Sequence, residues 1–140
     1  MTRRVIAVVP DLFFATKIAA TAEAAAVTLE VLSAREALER CRAAPPALLI
    51  LDLSAGEAPL DLARALRADA ATAGLPIAGF YSHVEGGTRL AALAAGVDPV
   101  LPRSAFVQRL PALLTSEGAP GYNPALGTST PVPGNESNES

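Results

Sequence analysis

Short apolar runs alternate with longer stretches of helical periodicity through the first 114 residues, and the alternation repeats five times. Val5 to Val9 predicts a strand, and Leu12 to Ala25, Ala-rich and free of Gly and Pro, predicts the helix that follows it. Val27 to Leu32 is the second apolar run. Ser33, with Glu36 three residues on, forms a capping-box pattern ahead of a helix from Ala34 to Ala43. Pro45-Pro46 stops that helix, because proline has no N–H to donate and biases its predecessor away from helical angles. The run from Ala47 to Asp52 shows no polar alternation, which indicates a strand covered on both faces. A loop through Gly56 leads to a helix from Pro59 to Asp69, where proline sits in the first turn without losing a bond. Pro76 to Tyr81 predicts a fourth strand and Gly87 to Ala95 a fourth helix with Gly96 at its end. Val100-Leu101 predicts a short fifth strand, and Ser104 is expected to cap a last helix reaching Leu114.

No hairpin signal separates these strands, so consecutive units must connect by crossovers, and right-handed crossovers give a parallel, doubly wound α/β sheet. In such sheets ligands and reactive groups collect beyond the carboxyl ends of the strands. From Thr115 to Ser140 the composition turns to Gly, Pro, Ser, Thr, Asn and Glu. A segment so poor in apolar residues is expected to form a disordered polar and acidic tail, in which Tyr122, Leu126 and Val132 are candidate anchors for a short docking stretch. The division is therefore a domain over 1–114 and a tail over 115–140.

Composition narrows the chemistry. Hydrophobic residues make up 51% of the chain but aromatic ones only 4%, so Ala, Leu, Val and Ile must build the core. The net charge is −3, and because Glu117, Glu136 and Glu139 all lie in the tail, the first 114 residues are neutral. No clustered Lys/Arg stripe is present, which argues against direct binding of nucleic acid or an anionic membrane. Cys41 is the only cysteine and His83 the only histidine, so an intrachain disulfide is impossible and a structural zinc site lacks ligands. A reducing cytoplasm is the expected setting. Val5 to Val9, closed by Pro10-Asp11, is too short for a leader or a membrane span and reads as a strand.

Four chemical groups fall at the predicted strand ends: Asp11 after the first strand, Asp52 closing the third, Ser82 after the fourth and Arg103 after the fifth. Two carboxylates, a hydroxyl and a cation on one edge can hold Mg²⁺ and stabilise a phosphoryl group. Each also has a plainer structural use: Asp52 as a solvated strand terminus, Asp11 as a helix N-cap, Ser82 as a turn residue, Arg103 as a surface charge. Cys41 is expected in the core, and at least one of Phe13 and Phe14 with it.

Over residues 3 to 114 the chain resembles the receiver domains of two-component response regulators. The resemblance rests on Leu49-Ile50-Leu51-Asp52-Leu53, on Asp11 in the acidic pair, on Ser82 at the Thr/Ser switch position and on Ala95-Gly96-Val97-Asp98 before the fifth strand. It implies a flavodoxin-like sheet of strand order 2-1-3-4-5. It also implies Asp52 as phosphoacceptor, Mg²⁺ held by Asp11, Asp52 and the Ser54 carbonyl, and Ser82 and Arg103 as phosphoryl contacts.

The departures from that pattern are specific. Pro10 stands where a second carboxylate is usual, which weakens any Mg²⁺ site. Arg103 replaces the usual lysine, a planar fork in place of a point donor, and a shifted alignment would put Pro102 there. His83 follows Ser82 where a small residue is common, and Val100 stands where a switch aromatic is common. The pattern is that of a divergent or pseudo-receiver. Its partners would be signalling proteins such as a histidine kinase or a downstream effector, with a homodimer as a further option. A fully competent Mg²⁺-dependent phosphoacceptor is the alternative reading. A small α/β phosphatase or nucleotide-binding protein is disfavoured, since Pro10-Asp11-Leu12-Phe13 forms no Gly-rich phosphate cradle and no nucleophile–base pair is visible, so the chain is not expected to be an enzyme.

Overall fold

The computed structural model describes residues 3–82 and 87–115; His83 and the tail beyond Thr115 lie outside the described residues. Five parallel strands, β1 (Arg4–Val8), β2 (Thr28–Val31), β3 (Leu48–Asp52), β4 (Ile77–Tyr81) and β5 (Val100–Pro102), form one sheet in the order β2-β1-β3-β4-β5. They alternate with α1 (Leu12–Ala24), α2 (Ala34–Ala43), α3 (Ala58–Ala68), α4 (Thr88–Ala94) and α5 (Arg103–Thr115). The doubly wound sheet and its strand order are as expected, and most boundaries fall within a residue of those predicted.

The unbroken apolar run of β3 has its explanation in two cores. Leu49 and Leu51 pack with Ile6, Cys41, Leu62, Leu66 and Ile77 on the face covered by α2, α3 and α4. Leu48 and Ile50 pack with Val5, Phe14, Ile18, Phe80, Phe106 and Leu110 on the face covered by α1 and α5. A strand whose side chains alternate between two buried faces has no position left for a polar residue until it leaves the sheet. In β3 that residue is Asp52.

Local signals act where they were read. The Ser33 hydroxyl accepts from the Glu36 N–H at 3.1 Å while the Glu36 carboxylate accepts from the Ser33 N–H at 3.1 Å, a complete capping box. Cys41 is fully buried, and of the phenylalanine pair Phe14 is in the core while Phe13 is 92% exposed. Ser104 does not cap α5. Strand β5 ends at Pro102 and the helix begins at Arg103, so no loop residue is left between them and Ser104 falls inside the first turn.

Gly79 occupies a place where only hydrogen fits. A Cβ there would stand 2.8 Å from both Leu53 Cδ1 and Val97 Cγ1, and Val97, β-branched and fully buried, cannot turn aside. We expect Gly79→Ala to cost about 1–3 kcal/mol through overpacking. In urea unfolding the midpoint should fall with the slope unchanged; an unaltered midpoint would mean that the α3–α4 face yields more readily than its packing implies.

Candidate functional site

The C-terminal ends of β1, β3, β4 and β5 bring Asp11, Asp52, Ser54, Ser82 and Arg103 to one edge of the sheet. Asp52 is 5% exposed at the end of β3, and its Oδ1 accepts a 2.9 Å hydrogen bond from the Ser54 N–H. That bond fixes the carboxylate two residues ahead of its own loop. Ser54 then reaches across to the next strand, its hydroxyl oxygen accepting from the Ser82 N–H at 2.9 Å. The β3 and β4 loops are thus clasped side by side next to the carboxylate.

Asp11 is the N-cap of α1, its Oδ1 accepting from the Phe14 N–H at 3.2 Å. Its other oxygen, Oδ2, lies 3.3 Å from Arg103 Nη2. The structural and the electrostatic uses of this residue coexist because a carboxylate has one oxygen for each. Arg103, the first residue of α5, lays its guanidinium over the Phe14 ring at 4.5 Å and faces Phe80 at 5.8 Å. Phe14 packs tilted against Phe80 with centroids 4.7 Å apart, and Phe80 against Phe106 at 4.9 Å. A cation held over an aromatic face and paired with a carboxylate loses much of its freedom to move. The guanidinium therefore sits at the site as the gapless alignment expects, and Pro102 remains a strand residue.

Burial pushes the Asp52 carboxyl above its ordinary value; the Ser54 N–H and the Arg103 charge oppose the rise, and the negative charge of Asp11 adds to it. Asp52 senses both groups, so the two carboxylates and the one cation form an electrostatic unit. In that unit the positive charge comes from the chain itself.

A hard divalent cation would find Asp52, the Ser54 carbonyl and an Asp11 already engaged by Arg103. Among the described residues no group of three His, Cys, Asp or Glu side chains gathers to hold a metal ion, and Pro10 contributes no donor. This donor set fits Mg²⁺ poorly.

The sequence alone does not show the part played by three residues. Phe14 and Phe80 form the aromatic seat under Arg103; Phe14, three residues after Asp11, and Phe80, two residues before Ser82, were visible as residues but not as partners of a cation on α5. Ser54 was expected only through its carbonyl, and its N–H and hydroxyl turn out to tie Asp52 to the β4 loop.

No protein-family model and no curated protein matches this sequence. Solved structures do match. A chain from Chloroflexus aurantiacus assigned as a response regulator superposes with a TM-score of 0.73 at 21% identity, over 84% of this chain and 98% of that one. The response regulator from Hahella chejuensis gives 0.72 at 22% identity, over 84% and 96%. The Mn²⁺-bound form of response regulator Rcp1 gives 0.69 at 10% identity, over 85% and 99%.

The raised affinity of Asp52 for its proton has a stability consequence. The folded state keeps this proton to higher pH than the unfolded chain does, so stability falls as pH rises from the ordinary carboxylate range through the folded value. Asp52→Asn keeps an acceptor for Ser54 without the charge, and should be more stable than the parent at neutral pH. That advantage should vanish on acidification, where Asp52 is protonated. Urea unfolding of both proteins at stepped pH reads the difference; one that stays constant with pH would sink the assignment.

Strand order, helix placement and the edge at which these side chains meet together give this chain the fold of response-regulator receiver domains.

Proposed function

We propose that this chain is a receiver-like signalling module of a phosphorelay whose phosphorylation site is degenerate, and that it acts by docking to partner proteins such as a histidine kinase or a downstream effector. The observation that carries this reading is Arg103 paired with Asp11 at 3.3 Å and seated on Phe14. The cation that would meet an incoming phosphoryl group is spent on the carboxylate that would hold a metal. Phosphorylation would have to break that pair and lift the guanidinium off its aromatic seat before Arg103 could reach Asp52. Pro10 works in the same direction, since its side chain offers a metal no carboxylate.

In this reading the chain's own residues do what a metal ion would otherwise do at rest. Arg103 offsets the charges of Asp11 and Asp52, and the Ser54 clasp holds the β3 and β4 loops in one arrangement. The surface is thereby pre-formed for a partner without a modification step.

A second reading, in which Asp52 is a working phosphoacceptor, is favoured by one feature. Asp52 keeps its place at the end of the central strand with its carboxylate oriented by the Ser54 N–H. Rcp1, of the same fold, binds Mn²⁺.

Backbone-amide NMR with Mg²⁺, then with Mg²⁺ plus beryllofluoride, separates the two. Asp11, Asp52 and Ser54 in the parent should stay in place at millimolar Mg²⁺, whereas the Pro10→Asp/Arg103→Lys variant, with its second carboxylate and a movable ammonium, should show saturable shifts. Saturable shifts in the parent around Asp11, Asp52 and Ser82, joined by a distal set on α4, β5 and α5 that Asp52→Ala abolishes, would establish the second reading.

A further inference from the structure

Beside the polar edge lies an apolar groove of about 360 Å³ lined by Pro10, Leu12, Val31, Ala34, Ala58 and Pro59, where the ends of β1 and β2 face the start of α2 and the β3–α3 loop. Ser33 is its one polar lining side chain, and the Ser33 hydroxyl is already committed to the capping box with Glu36. A small molecule needs a few placed polar groups to fix its orientation, and this groove has none to spare. An apolar side chain delivered by a protein needs none.

Such a side chain stands on the same surface. Phe13 follows the lining residue Leu12 on α1 and is 92% exposed, so its ring does not enter the groove of its own chain. Leu12 is 77% exposed and Val31 43%, which makes the surroundings of the groove apolar as well. An exposed aromatic ring beside an unfilled apolar groove marks a surface built for association.

We propose that this surface pairs two copies of the chain about a twofold axis, the Phe13 ring of each copy seated in the groove of the other. The twofold follows from a knob and a hole lying side by side on one face. When one Phe13 enters the second copy's groove, the same rotation carries the second ring into the first groove, and every contact is made twice. An unrelated hydrophobe could fill the groove but would leave Phe13 uncovered. Burying Phe13, Leu12 and Val31 against the groove walls of both copies removes roughly 1,000 Å² from water, the low end for a specific interface, so the dimer is weak and reversible.

Charge is matched in the same sense. Lys17 lies one turn after Phe13 on the same side of α1 and is the only charged residue between Leu12 and Ala22. Glu57 caps the start of α3 beside the wall residue Ala58. Both are exposed, and neither joins an ion pair among the described residues. On the α2 wall Arg35 and Glu36 offset each other. A helix that carries Phe13 to the groove therefore brings a cation to a surface whose uncompensated charge is negative. The pairing does not depend on the state of Asp52, and it would place Asp11, next to Leu12, at the rim of the interface.

Sedimentation velocity of the full chain from micromolar to millimolar concentration tests the pairing. A reversible monomer–dimer equilibrium is expected, with amides of Val31 to Ala34 and of Ala55 to Ala58 shifting with concentration in NMR spectra. Phe13→Ser, at an exposed position that leaves the core intact, should weaken the dimer by more than about 100-fold, because the ring is lost from both copies. Lys17→Glu and Glu57→Lys should each weaken it by roughly tenfold, and the double variant should recover the parent's affinity. A chain that stays monomeric at millimolar concentration would overturn the proposal and leave the groove to a different occupant. So would a dimer that survives Phe13→Ser, one that Leu90→Ser on α4 dissolves instead, or a double charge variant no tighter than its single parents.

Discussion

The candidate site depends on one constraint, the burial of β3 on both faces. Leu48 and Ile50 are committed to one core and Leu49 and Leu51 to the other, so the strand cannot slip by a residue without sending every side chain to the wrong layer. Because the register is held so strongly, the first polar residue after the run appears at a defined depth, just where the sheet opens to solvent. Asp52 is therefore placed by hydrophobic packing that has nothing to do with its charge. The cost falls on Asp52 itself, whose carboxylate is partly desolvated and holds its proton more tightly than an exposed aspartate.

How that cost is offset distinguishes this site. A metal ion can be lost or exchanged; a guanidinium tethered to the backbone cannot. Arg103 lies over Phe14, pairs with Asp11 and is felt by Asp52, so it links α1, β3, β4 and α5 through one side chain. A lysine at this position could not do the same, because its ammonium is a compact point charge that hydrates strongly and has no plane to lie on a ring. The aromatic cluster supports the choice: with only four Phe and two Tyr in the chain, two of the phenylalanines lie under the cation and a third packs against both.

What was legible in the sequence follows from how local each interaction is. The β3 run, the Ser33–Glu36 box and the Asp11 cap are settled within a few residues, and each was readable as written. Position Arg103 was readable by counting from Gly96, because β5 offers no room for a gap. Its engagement with Asp11 was not, since the direction of the guanidinium is decided by rings on two other elements, Phe14 on α1 and Phe80 on β4, far from it in the chain. Ser104 shows the opposite failure. Serine is a good capping residue, but β5 passes directly into α5 and the position a cap would need does not exist. Ser54 was half legible: its place after Asp52 was evident, while the partner of its hydroxyl lies on β4.

Pro10 joins the two halves of the picture. At the end of β1 a carboxylate would face the polar edge and would need hydration or a cation; proline needs neither. Its ring instead joins Pro59, Ala55 and Leu32 in walling an apolar cavity. A single residue type thus removes a candidate metal donor and extends a dry surface toward Asp11. With the donor gone, the remaining carboxylates need less compensation, and one arginine supplies it. On the proposed function, an edge where Arg103 pairs with Asp11 and the neighbouring surface is apolar would favour recognition by contact.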